Sequence, residues 1–175
     1  HDACAAHMQT DGVSLNDGGV GADAYADAIA TYMAIAVDRL ADRSSSICSW
    51  DTGYAKVRNT FARQAISMVW DFAEANPLSD STGNFYGAID WVAQVIELPA
   101  YKVGGEARQR DATTSITSVS HPLISTDPPY YDNIGYADLA DFFYVWLRRS
   151  LHTVYPDLFK TMLVPKTQEL IAAPY

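Results

Sequence analysis

Cysteine is scarce in this chain: its 175 residues include only Cys4 and Cys48. Two thiols cannot build a disulfide framework or a four-thiolate zinc site, and their low number fits a reducing, cytoplasmic setting. Long apolar runs are lacking too. No stretch approaches the ~18 residues that a membrane span needs, and the start lacks the layout of a signal peptide, so no membrane partner is expected. Basic residues are in short supply, with 12 Lys and Arg against 21 Asp and Glu and a formal net charge of −9. A chain this acidic is a poor stand-alone binder of nucleic acid, because phosphate contacts need Lys and Arg. Glycine-rich phosphate loops are missing as well. Gly18-Gly19-Val20-Gly21 follows no strand and lacks the lysine of such a loop, so it reads as a flexible connection. There is no G-x-S-x-G, and neither His121 nor His152 has an evident nucleophile partner, which argues against a hydrolase.

What is present begins with apolar content. At 49% hydrophobic the chain can bury a real core, and one compact domain is the default expectation. His1-Asp2-Ala3-Cys4-Ala5-Ala6-His7 has no initiating methionine and reads as the interior of a longer protein. His1, Cys4 and His7 have no second half to complete a ligand set, so no metal is expected.

Helical periodicity is clear from Ala22 to Arg43. Tyr25, Ile29, Tyr32, Met33, Ala36 and Leu40 recur at helical steps and are the expected core stripe, with Asp23, Asp27, Thr31, Asp38 and Asp42 opposite. Asp23 and Asp27 near its start and Arg39 and Arg43 near its end suit the helix dipole. A second helix is expected from Lys56 to Ala75, with Val57, Phe61, Ala65, Met68, Val69 and Phe72 inward and Asn76-Pro77 as terminator. Arg63 and Gln64 lie among its apolar positions, either as buried partners of Asp71 or Glu74 or as ligand contacts. Phe85 to Leu98 is expected to be a third helix. Ala137 to Leu151 is a fourth, apolar nearly all round and therefore buried on more than one side.

Beyond Pro99 the period changes. A short alternating strand is expected within residues 103–112, a buried strand at Leu123-Ile124, and another at Thr161-Met162-Leu163-Val164. The order is that of an α/β layered domain, with ligands at the carboxyl ends of the strands, where Asp111 and Asp127 fall.

The most informative stretch is Ser125-Thr126-Asp127-Pro128-Pro129-Tyr130-Tyr131-Asp132-Asn133-Ile134-Gly135-Tyr136. Each proline fixes its own φ, has no N–H and biases the residue before it toward extended geometry. What remains is a stiff row of acceptors, the Asp127 carboxylate and the Pro128 carbonyl, beside the aromatic face of Tyr130. Such a row suits a flat ligand that carries an amino group. Alone, D-P-P-Y is equally a proline-stiffened turn.

Its surroundings carry a resemblance. Ser125 to Leu151 (STDPPYYDNIGYADLADFFYVWLRRSL) closely resembles the large adenine-specific DNA methylases that carry a domain of unknown function and a zinc ribbon. The similarity extends to Phe61–Pro77 (FARQAISMVWDFAEANP) and to Leu163–Leu170 (LVPKTQEL). It implies an S-adenosylmethionine-dependent amino-methyltransferase with a partial, helix-rich Rossmann-like fold and a few short strands. It also implies that Asp127, Pro128, Pro129 and Tyr130 are catalytic. Asp127 and Pro128 would take both hydrogens of the exocyclic N6 amine of a flipped-out adenine, localising the nitrogen lone pair, while Tyr130 stacks on the base. Asp111 and Ala112 fall where such enzymes contact the cofactor adenine. Tyr131, Asp132, Asn133 and Tyr136 would line the base pocket, although Tyr136 is equally the first core residue of its helix.

The family's methionine-binding glycine loop is missing. The chain is therefore expected to be a fragment: 1–21 a lead-in, 22–98 a helical segment and 99–175 an α/β segment bearing the catalytic motif. DNA would be bound through the full-length protein, whose upstream region would be the chain's own partner. N4-cytosine methylation uses the same acceptors and stays open, as do a non-catalytic folding or interaction module and, further off, methylation of a protein glutamine or of RNA.

Overall fold

The computed structural model describes residues 11–98, 105, 107, 108, 110, 111, 113, 114, 121–131 and 134–171. Among them are three α-helices, α1 (Ala22–Ala41), α2 (Phe85–Ile96) and α3 (Tyr136–Leu151). The strands β1 (Trp50–Asp51) and β2 (Lys56–Val57) form an antiparallel hairpin in which Trp50 pairs with Val57.

Alanine decides how α1 packs. Ala24, Ala26, Ala34 and Ala36 are buried to within 5% exposure, whereas Tyr25, Ile29, Tyr32 and Met33 remain 37–49% exposed. The large side chains give the sequence its periodic stripe, but the small ones let neighbouring backbone approach closely. The expected core face is thus corrected: Ala36 is inside, and the aromatic stripe borders solvent and a cavity. The polar face is engaged as well. Asp27, 6% exposed, accepts the Leu15 N–H at 3.0 Å, and Asp23 accepts the Gly12 N–H at 3.2 Å. Both bonds tie the glycine-rich lead-in back onto α1.

α1 is the central element, packing against both α2 and α3, which make no contact with each other. Against α3 the core is Ala34, Leu151, Val154 and Phe159, with Ala30, Tyr144, Leu147 and Tyr155 around it. Thr31 and Tyr155 join hydroxyls at 3.0 Å on its edge. α3 is also covered on other sides, as expected: Phe61 meets Phe142 and Phe143 at ring-centroid distances of 5.5 and 5.7 Å, and Glu169 and Val164 bond to Ala137 and Asp141, while Val145 and Trp146 stay 49% and 39% exposed.

A smaller cluster surrounds Cys48, Val57 and Thr60, all buried. Thr60 donates its hydroxyl to the Asp42 carbonyl at 2.8 Å and its N–H to the same oxygen at 2.6 Å. Here the expected second helix fails. Residues 56–57 are drawn into the hairpin, Arg58 N–H is held by the Ser49 carbonyl at 2.8 Å, and Thr60 is pinned to the end of α1. The remainder, 61–76, is irregular, with Ile66, Met68, Trp70 and Phe72 exposed. A short helix draws most of its stability from a packed face, and of this one Phe61 meets Phe142 and Phe143 of α3 while Ala65, Met68 and Phe72 stay exposed.

The expected strands fare similarly. Leu123 and Ile124 are irregular and 98% and 69% exposed, and 161–164 is irregular too, with bends at 161–163. Half of 103–112 lies outside the described residues, the other half is irregular, and His1, Cys4 and His7 also lie outside. The helix-rich character is as expected, while the described sheet is the single hairpin.

Candidate functional site

Asp127, Pro128, Pro129 and Tyr130 share one wall of a hollow of about 330 Å³, completed by Tyr136, Glu169 and Leu170. Asp127 and Pro128 are exposed, Pro129 is half-buried and Tyr130 is 64% exposed, so the acceptor row and the ring are open to an incoming molecule. The chain turns sharply just after them. Tyr131 N–H donates to the Pro129 carbonyl at 3.0 Å, and Tyr131 has φ of 57°. A bulky residue in this left-handed region costs about 1–2 kcal/mol, and such strain often collects at functional positions. Tyr131 itself does not line the hollow.

Tyr136 opens α3 and lines the hollow, so it serves as a wall rather than as a core residue. The helix start is held by a residue that sequence reasoning missed. Glu169 accepts the Ala137 N–H through Oε1 at 3.0 Å, satisfying one of the amides that a helix start leaves unpaired. Gly135 supplies no side-chain cap, so the carboxylate 32 residues downstream takes that role. No local spacing could have disclosed it.

The same segment is strapped to α3 once more. Asp141 accepts the Val164 N–H at 2.9 Å and a hydrogen bond from Lys166 Nζ, which also lies 3.7 Å from Asp138. Burial pulls the Asp141 carboxyl up, but the bonds from Lys166 and Val164 outweigh it and leave its pKa below the ordinary value. Lys166 is raised correspondingly, chiefly by its bond to Asp141. Both side chains keep substantial solvent contact, at 39% and 21% exposure, so the pair alone is worth about 0–1 kcal/mol.

A second, larger hollow of about 710 Å³ shares Tyr136, Glu169 and Leu170 with the first. Its far side carries Arg110, Asp111, Thr113 and Gln168. Asp111 is exposed and accepts the hydroxyl and the N–H of Thr113 at 2.7 and 2.8 Å, which holds its pKa below the usual carboxylate range. The structure therefore places Asp127–Tyr130 and Asp111 on two hollows that share Tyr136, Glu169 and Leu170. Ala112, Asp132 and Asn133 lie outside the described residues.

The polar donor and acceptor set around Asp111 suits a nucleoside. A glycine cradle for an amino-acid tail is not among the described residues. Gly19 is consumed by its own loop: its N–H reaches the Ser14 carbonyl at 2.9 Å, and a Cβ there would overlap the Val13 carbonyl. Gly21 packs likewise against the Asp11 carboxylate. Arg63 and Gln64 are exposed and border a shallow hollow with Phe61, Leu139 and Phe143, and they form no buried pair with Asp71 or Glu74. Among the described residues no group of His, Cys, Asp and Glu could hold a metal ion, and no helix is long and apolar enough to cross a membrane.

Comparison with protein families, with characterised proteins and with solved structures finds no match for this chain.

Proposed function

We propose that the chain is the acceptor-binding, catalytic-motif part of an S-adenosylmethionine-dependent methyltransferase that modifies the exocyclic N6 amine of adenine in DNA. Its fold would be a helix-rich variant of the Rossmann-like methyltransferase architecture. The supporting observation is the joint lining of one hollow by Asp127, Pro128 and Tyr130, with strain at Tyr131 closing the turn.

The Asp127 carboxylate and the Pro128 carbonyl would each accept one amine hydrogen. Both are acceptor-only groups, and a proline cannot offer a competing N–H. A hydrogen bond to the charged acceptor contributes about 1.5–3 kcal/mol. Stacking on Tyr130 adds about 1–3 kcal/mol, which offsets the few kcal/mol needed to take a base out of a duplex. Holding both hydrogens leaves the nitrogen lone pair directed away from the acceptors, so much of the rate would come from positioning. Tyr136 would bound the base, and Asp111 would hold the adenosine part of the cofactor in the adjoining hollow. The cofactor would supply the transferable methyl group.

Methyl transfer from labelled S-adenosylmethionine to adenine-containing DNA, by the full-length protein that carries this chain, tests the proposal. Asp127→Ala is expected to lower the rate 10²-fold or more, the scale on which positioned polar groups act; an unchanged rate sinks the catalytic role. Mass spectrometry of the digested product separates N6-methyladenine from N4-methylcytosine. The 175-residue chain by itself is expected to bind S-adenosylmethionine weakly and to turn over little, because no glycine cradle occurs among the described residues. Micromolar binding by calorimetry would contradict that.

A further inference from the structure

The two hollows that meet at Tyr136 continue into a third. It measures about 290 Å³ and adjoins the larger one at Ala140, which lines both. Tyr136, Ala140 and Phe143 follow one another at steps of four and three residues, so they share one face of α3. Ala140 puts only a methyl group at the junction. The floor of the third hollow is Phe61, Leu139 and Phe143, all half-buried, with the two rings 5.7 Å apart and tilted by 52°. Its rim is Arg63 and Gln64, both exposed. Arg63 is the only charged residue in the lining, and neither rim side chain has a hydrogen-bond or ion-pair partner among the described residues. In the larger hollow, by contrast, Arg110 is offset by Asp111 and Glu169 in the same lining.

The two rim groups differ in what they offer. A guanidinium is permanently charged and donates only, in a fork that matches a carboxylate. An amide adds an oxygen acceptor to its own donors. Side by side above an apolar floor, they complement a zwitterion on a short aliphatic arm. The carboxylate would go to Arg63, the ammonium to the Gln64 oxygen, and the methylene groups to Phe61, Leu139 and Phe143. A plain anion would use Arg63 alone and leave the floor wet, so an amino acid is the better fit.

We infer, resting on the reading of the larger hollow as the adenosine site, that the third hollow holds the α-amino-acid end of the same thioether or sulfonium nucleoside. Arg63 binds its carboxylate and Gln64 its ammonium. These two side chains then do what a glycine cradle does elsewhere, and no such cradle occurs among the described residues. A charge pair at an exposed rim is worth little in absolute terms. The 175-residue chain therefore stays a weak binder, and a preference for the amino-acid end is the mark of the site.

The probes are S-adenosylhomocysteine and 5′-deoxy-5′-methylthioadenosine, which keeps the adenosine and the sulfur but lacks the amino acid. Each is titrated into the 175-residue chain and followed by NMR amide shifts. S-adenosylhomocysteine is expected to bind about fivefold more tightly or better, with shifts at the Ala62, Arg63 and Gln64 amides that the truncated nucleoside does not produce. The ratio of affinities should fall toward one in Arg63→Ala and, by filling of the hollow, in Ala62→Trp, both at exposed positions. Arg63→Lys should retain part of it, because the charge remains while the fork is lost. A ratio near one in the unmodified chain, or a preference that survives Arg63→Ala, would overturn the inference and leave the adenosine site standing. No binding of either probe at 5 mM, or binding of both that Asp111→Ala does not weaken, would overturn the adenosine site and the inference with it.

Discussion

The two ends of this molecule obtain rigidity in different ways. Around α1, side chains are held by packing: alanines let helices approach, and Leu151, Val154 and Phe159 close the core. Around Asp127 almost nothing packs, since residues 121–128 are exposed without exception. There the stiffness is covalent, from two proline rings and one sharp turn, helped by Glu169 and Lys166 holding the adjoining segment to α3. Packed regions can be loosened by removing a methylene group. A proline-stiffened arm cannot, and its weak points are the few polar bonds at its margins.

This contrast can be broken at its packed end with the largest effect. Phe159→Ala is expected to destabilise the fold by about 3–5 kcal/mol, the usual cost of an emptied aromatic site, measured by urea unfolding. A loss below about 1 kcal/mol would mean that the helical end is not held by its core. Next comes Asp38. Its folded-state pKa of about 7 lies above the unfolded value of 3.8, so the folded chain binds the extra proton between these pH values. Stability must therefore fall as the pH rises from about 4 to 7 and stay low above that. Asp38→Asn should flatten the profile and stabilise the chain at pH 8 by about 1–2 kcal/mol, a figure discounted for the solvent that screens a half-exposed carboxyl. Denaturation at pH 5 and pH 8 tests the sign.

At the polar margin the effects are smaller. Glu169→Ala should cost about 1 kcal/mol as a lost helix cap, with Glu169→Gln recovering most of it because an amide oxygen still accepts the Ala137 N–H. Faster hydrogen exchange at the Ala137 amide in the alanine variant alone would localise the effect. Smallest is Lys166→Ala, expected to cost no more than about 1 kcal/mol and less at 1 M salt. A larger, salt-insensitive loss would show that the arm depends on charge pairing more than on proline geometry.

Much of the helical end was legible in the sequence. Periodicity placed α1, α2 and α3 within a few residues of their bounds, because a helical repeat of apolar residues is a local signal. The buried face of α1 was not legible. Large side chains dominate any periodicity, whereas here the contact was decided by alanines, whose small size matters only once a neighbour is present. The 61–76 segment shows the converse: a good helical pattern stayed irregular because its start was tied elsewhere and little of its face beyond Phe61 found a partner. At the candidate site, Asp127–Tyr130 could be read from proline chemistry alone. Glu169 could not, since its role depends on a fold that brings it back to Ala137.

The arrangement of three helices in which α1 touches both others and they do not touch each other also bears on cooperativity. Either outer helix can detach while the other keeps its full interface, so the chain has two independent partial openings. Loss of α1 removes both interfaces at once and admits no partial state. The width of the gap between α2 and α3 is then a coordinate that can change without breaking the core of either pair, and a molecule lodged in that gap would act as the missing third contact, converting two separable units into one.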